Sequence, residues 1–212
     1  MSFMETLQQE SEVESGGRIK GIAVATVTDN NDPDKLCRVK VSYPWHDQPT
    51  ESYWARLVTP MAGPSRGLVM IPEVGDEVVV AFDREDLRFP YVLGALWNGK
   101  DKPPVANDDG NNDKRKLVSR KKHYLLFDDG ARGTVELAHE KGRKVTFDDD
   151  GVVLTDEKGN SVKIDSNSSA ITIEAKGQLK IKAAQITIEA TGTLDLKANA
   201  TLSVRGSIVN IN

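Results

Sequence analysis

From residue 171 onward the chain repeats one short unit: ITIEAKG, QLKIKAA, QITIEATG, TLDLKANA, TLSVRGS, IVNIN. The first apolar residue of each unit is Ile171, Leu179, Ile186, Leu194, Leu202 or Val209, at spacings of 8, 7, 8, 8 and 7. A second follows two residues on, at Ile173, Ile181, Ile188, Leu196, Val204 and Ile211. Alternation at period two puts both on one face of a strand and leaves Lys, Glu, Asp and Thr on the other. A looser form precedes it, with pairs Leu125/Phe127, Val135/Leu137, Val145/Phe147, Val152/Leu154 and Val162/Ile164. Two aliphatic side chains per repeat cannot enclose a core. A three-faced β-helix made by one chain would draw about three repeats into each coil, which is too few coils for a stable stack. Three chains wound round one axis close every layer with six aliphatics. The pattern predicts an intertwined trimeric β-helix over 123–212, with the twelve residues of the 171–212 pairs as its core.

The N-terminal part has a different character. All nine prolines lie at or before Pro104, and no aromatic follows Phe147. Residues 1–97 carry nine Lys/Arg against fifteen Asp/Glu, and the remainder nineteen against seventeen. Residues 18–97 contain short runs rich in Val, Ile and aromatics: Ile19–Thr28, Leu36–Tyr43, Trp54–Thr59, Leu68–Ile71, Glu77–Phe82 and Tyr91–Leu96. Turn-forming stretches separate them (DNNDPDK, MAGPSRG, PEVGD). So many strands in so short a segment predict a closed barrel of the OB type, since an open sheet of that size leaves long edges unpaired. Residues 1–17 form a separate N-terminal segment, in which a short helix is expected over 3–14. The hydrophilic stretch 98–122 reads as a linker or collar. The fold class is therefore all-β.

Composition narrows the function. No apolar run approaches the ~20 residues a membrane-spanning helix needs. The N-terminus is acidic and lacks a basic-then-apolar leader, so synthesis in the cytoplasm without a signal peptide is expected. A net charge of −4 argues against general nucleic-acid binding. The single cysteine, Cys37, cannot form an internal disulfide and reads as a small, partly buried strand residue.

No pattern of residues carries catalysis. Asp128-Asp129 and Asp148-Asp149-Asp150 stand just before glycine, which makes them turn residues rather than an acid–base pair or metal ligands. The three histidines are far apart in sequence and fit no metal spacing. Neither catalytic residues, cofactor nor metal site is expected. Tyr43, Trp45, Tyr53 and Trp54 could stack bases, but their acidic surroundings favour packing instead. Two rival functions remain: an OB-fold nucleic-acid binder with a trimerising tail, and a β-helical carbohydrate-active enzyme.

The barrel segment also resembles a known family. Arg38-Val39-Lys40-Val41, Trp54-Ala55-Arg56, Ala62-Gly63 and Gly67 are similar to the barrel of phage baseplate assembly protein V and VgrG spike proteins. So are Ile71-Pro72-Glu73-Val74-Gly75-Asp76-Glu77-Val78, Phe82 and Pro90-Tyr91-Val92-Leu93-Gly94. His123–Asp129, Gly142, Gly159 and the repeats resemble the VgrG needle. The resemblance implies the homotrimeric central spike of a contractile injection machine, assembled into a phage tail baseplate or injection particle and acting on a target cell envelope. VgrG proteins carry a large hub domain before the barrel, where about 17 residues stand here, so a separate hub protein is implied. Some related spikes insert a lysozyme where 98–122 lies, and others bind iron through histidines at the apex. No histidine follows His139, so a metal-free tip is expected. A small tip protein of the PAAR kind would then dock on Ile208, Val209, Asn210, Ile211 and Asn212.

Overall fold

The computed structural model describes residues 19–46 and 50–211. The helix expected over 3–14 lies outside them. The chain divides after Asp108 into two units, each with its own sheet.

The first unit contains β1 (Ile22–Asp29), β2 (Lys40–Ser42), β3 (Arg56–Leu57), β4 (Ala62–Gly63), β5 (Arg66–Gly67), β6 (Glu77–Phe82) and β7 (Pro90–Ala95). Five of these form one sheet in the order β2-β1-β6-β7-β3, with β3 parallel to β7. Val39 and Ala55 exchange two backbone hydrogen bonds, at 3.0 and 2.7 Å, which join the approaches to the two outermost strands. The sheet thereby curls into an OB-like half-barrel, short of the fully closed barrel expected. Its core follows the period-two rule: Ala25 and Val27, Val39 and Val41, and Val78 and Val80 alternate inward and are buried. Tyr43 closes one side of the core and donates its hydroxyl to the Leu87 carbonyl at 2.7 Å. Burial pushes that phenol well above its ordinary range.

Three local expectations need correction. The run Leu36–Tyr43 pairs only from Val39, because Lys35 and Cys37 have φ of 56° and 57° and left-handed backbone breaks a ladder. Cys37 is accordingly exposed and lies outside any strand. Leu68–Ile71 forms no strand; the small β4–β5 hairpin sits earlier, within MAGPSRG.

The second unit is an antiparallel meander of seven strands in sequence order. They are β8 (Lys114–Val118), β9 (Tyr124–Asp128), β10 (Thr134–Ala138), β11 (Lys144–Asp148), β12 (Gly151–Thr155), β13 (Ser161–Asp165) and β14 (Ala170–Glu174). The stretch 98–122 is therefore not all linker: β8 lies inside it and pairs fully with β9. The strand KRKLV passes as linker in the sequence because Leu117 and Val118 are its only apolar residues. The looser repeats form this meander rather than a coil. Beyond Glu174 no described residue belongs to a strand, and the apolar residues from Leu179 to Ile211 are all exposed. One chain alone thus builds a sheet followed by a strandless repeat segment.

Candidate functional site: an apolar sheet face with charged flanks

The register of the meander sorts its side chains into two faces. Phe127, Val135, Phe147, Val152, Ile164 and Ile171 stand opposite one another in one row across the strands. Leu117, Leu125, Leu137, Val145, Leu154, Val162 and Ile173 form the parallel row. Both rows lie on the same face, and six inter-strand gaps of about 4.8 Å make it roughly 30 Å long. Leu137 is 60% exposed and Ile171 71%. The opposite face is largely polar, with Leu126, Ala138 and Val153 among charged and hydroxyl side chains. Glu136 accepts hydrogen bonds there from Tyr124 (2.7 Å) and Lys144 (2.8 Å), and Lys163 pairs with Asp165 at 2.8 Å. Burial pushes the Glu136 carboxyl up, but Lys144 and Tyr124 outweigh it and hold the group below its usual range.

A sheet normally buries one face, and the apolar one is the face left in water. Covering it returns about 25 cal/mol per Å² of apolar area, on the order of 10 kcal/mol for this many half-exposed aliphatics. Of the expected core residues, Ile171 and Ile173 extend these rows. Leu179, Ile181, Ile186, Ile188, Leu194, Leu196, Leu202, Val204, Val209 and Ile211 lie past the last strand and are exposed, as is Ile208. Asn210 is exposed with them, and Asn212 lies outside the described residues.

Hydrogen bonds tie turn to turn along both flanks of the sheet. On one flank Arg132 reaches Asp150 at 2.6 Å, and Asn167 reaches the other oxygen of the same carboxylate at 3.0 Å. On the other, Arg143 pairs with Glu157 at 2.8 Å, and the Lys176 amide donates to the Asn160 side chain at 2.9 Å. The turn aspartates behave as their positions predict. Asp128 accepts from the Gly130 amide at 3.1 Å, and Asp148 accepts from the amides of Asp150 and Gly151. His123 and His139, distant in sequence, are brought together with ring centroids 4.4 Å apart. Sequence spacing gave no sign of this; only the β9–β10 register brings the two positions side by side. Among the described residues no group of three or more His, Cys, Asp or Glu could hold a metal ion.

The barrel motif residues pack and hydrogen-bond within the first unit. Asp32, its side chain 3% exposed, takes hydrogen bonds from Arg38 Nε (2.9 Å), Arg38 Nη2 (2.7 Å) and the amides of Asp34, Leu36 and Arg38. The Arg38 guanidinium, with those amides, holds the carboxyl far below the carboxylate range. In the segment Pro72–Val78, Gly75 has φ of 96° and its amide bonds the Val27 carbonyl at 2.9 Å. Asp76 caps the Glu73 amide at 2.8 Å, the Pro72 carbonyl accepts from Asn30, and Val78 is buried. Val41 and Pro90 are buried, Phe82 packs 5.7 Å from Tyr43, and Gly94 lies beside the β6–β7 bulge. Gly63 and Gly67 sit in the small hairpin.

The aromatics do not form one stacking platform. Trp45 leans on Tyr43 at 5.5 Å, Tyr53 stacks on Phe89 at 5.2 Å, and Lys40 lies over Trp54. The segment following β3 instead forms an apolar lip with exposed Met61, Val69 and Met70, beside a hollow of about 680 Å³.

Comparison with known proteins agrees with this barrel. The type VI secretion system/phage-baseplate injector OB domain matches residues 23–97. The chain is 34% identical over 101 residues to the type VI secretion system spike protein VgrG2a of Pseudomonas aeruginosa, covering 43% of this chain and 12% of that protein. It is 30% identical over 137 residues to the spike protein VgrG3 of Vibrio cholerae, covering 58% and 13%. A third relative, the actin cross-linking toxin VgrG1 of Vibrio cholerae, is 28% identical over 108 residues, or 47% of this chain and 10% of the toxin. The matched regions thus span about an eighth or less of these relatives. With the curled sheet and its motif turns, residues 23–97 are thus similar to the type VI secretion system/phage-baseplate injector OB domain, and the chain is similar over part of its length to VgrG spike proteins.

Proposed function

We propose that three copies of this chain assemble into the central spike of a contractile injection machine, with the second unit and the repeats forming a needle. The observation that carries this reading is the apolar face of the seven-stranded sheet. Its two rows continue in sequence into the exposed pairs of the repeat segment. Three such faces turned toward one axis bury all of them at once and leave the charged faces in water. The repeats then find on neighbouring chains the strand partners that one chain lacks. The barrel docks on a separate hub protein, and the apolar lip at Met61, Val69 and Met70 suits such a contact. The needle end at Ile208–Asn212 takes a conical tip protein of the PAAR kind. The work is mechanical: sheath contraction drives the spike into the target envelope, and intertwined strands resist because many backbone hydrogen bonds must break together. Light scattering across a size-exclusion peak tests the assembly. A mass three times the 23.2 kDa chain is expected, and a folded monomer at micromolar concentration overturns the reading.

A further inference from the structure

The two flanks of the seven-stranded sheet carry opposite charge. The turns after β8, β10 and β12 (119–123, 139–143 and 156–160) hold six cations, Arg120, Lys121, Lys122, Lys141, Arg143 and Lys158, against three anions. The opposite flank, formed by Asp113 before β8 and the turns after β9, β11 and β13, holds Asp113, Asp129, Asp149 and Asp150 against Arg132 alone. Pairs within the chain do not erase the difference. Arg143 with Glu157, Arg132 with Asp150 and Arg115 with Asp129 account for part of each flank. Lys121, Lys122 and Lys141 remain on one side and Asp113 and Asp149 on the other, and all but the partly covered Asp113 are exposed.

We propose that the two flanks recognise each other between copies, the basic turns of one sheet lying beside the acidic turns of the next. The proposal rests on the trimer reading and adds how the copies meet. Three sheets with apolar faces turned inward and strands across the axis place their turns at the three corners. Cyclic symmetry makes every corner heterologous, one flank against the other and never like against like. It also keeps equal heights together, so Lys121 and Lys122, in the turn leaving β8, face Asp113, which enters β8. Lys141 and Asp149 are offset by one strand, about 4.8 Å. Flanks of the same sign would repel at each corner; these attract, and they select one rotational direction for the ring.

The test uses the full chain with three sets of substitutions: Lys121→Glu with Lys122→Glu, Asp113→Lys with Asp149→Lys, and all four together. Each reversed flank should raise the concentration at which the trimer half-dissociates by roughly tenfold or more, and less so at high salt. The four-fold variant, with both flanks exchanged, should return to within about threefold of the native chain, a coupling that independent surface sites do not show. Recovery in that variant also shows that the reversed residues permit folding. A native trimer indifferent to either reversal, or a four-fold variant no better than the worse of the two, overturns the proposal. A native chain that never trimerises overturns the trimer reading itself, and this inference with it.

Discussion

The Nδ1 atoms of His123 and His139, whose rings lie 4.4 Å apart, both accept backbone hydrogen bonds, from Glu140 and Lys141 respectively, each at 3.2 Å. An accepting Nδ1 is unprotonated, so the neutral ring carries its proton on Nε2. The pair's role is to pin the turn 139–143 to the end of β9. Replacing His123 with Ala leaves the Glu140 amide without that acceptor and removes the ring contact. A loss of about 1 kcal/mol is expected, read as faster hydrogen exchange at Glu140.

Asp32 gives the barrel a defined acid sensitivity. Its pKa lies below the ordinary carboxylate value because Arg38 and three backbone amides stabilise the anion. A depressed folded-state pKa adds stability that is complete above the unfolded value of about 4 and is lost as pH falls through the folded one. Asp32→Asn should therefore be less stable than the native chain at neutral pH, and the gap should shrink below about pH 4. All three tryptophans, Trp45, Trp54 and Trp97, lie in the first unit, so their fluorescence reports its unfolding.

Gly151 is fixed by geometry. Its φ is 138°, and a Cβ there would stand 2.1 Å from the Ile164 carbonyl oxygen. Gly151→Ala should cost at least roughly 2 kcal/mol and loosen the β12–β13 ladder. Gly177→Ala, where nothing lies within 4 Å of the new atom, should be close to neutral. Hydrogen exchange across β12 and β13 separates the two outcomes.

The repeat segment makes its own prediction. Ile188 is 64% exposed in one chain. In a threefold core Ile188→Asp would bring three carboxylates into one layer, each desolvated without a partner. Loss of the trimer, or of its heat and detergent resistance, is expected. Glu189→Ala on the outer face should leave both intact. Equal tolerance of the two would show that the inward and outward faces are assigned the wrong way round.

If the proposed spike carries a conical tip protein, deletion of residues 208–212 should abolish pulldown of that protein and leave the expected trimer mass unchanged apart from the missing residues. Elemental analysis of the same preparation should find no transition metal. Unchanged capture would place tip docking elsewhere.

Side-chain alternation is a local property, so the buried faces of β1 and β6 and the apolar face of the meander could be read from residues two apart, such as Ala25 and Val27 or Leu125 and Phe127. The turn chemistry of Gly75 and of Asp148 before Gly151 was legible for the same reason, since it spans only a few residues. Pairing between distant segments was not. Val39 finding Ala55, His123 meeting His139, and the charged KRKLV joining the sheet as β8 each depend on register between strands, which no single strand encodes. The left-handed backbone at Lys35 and Cys37 follows from a buried carboxylate gathering five donors, an arrangement that exists only once the loop has closed around Asp32. The period of the repeats was plain in the sequence, but one chain supplies too few neighbouring strands to satisfy it, and only the folded sheet revealed how much apolar surface a single chain leaves uncovered.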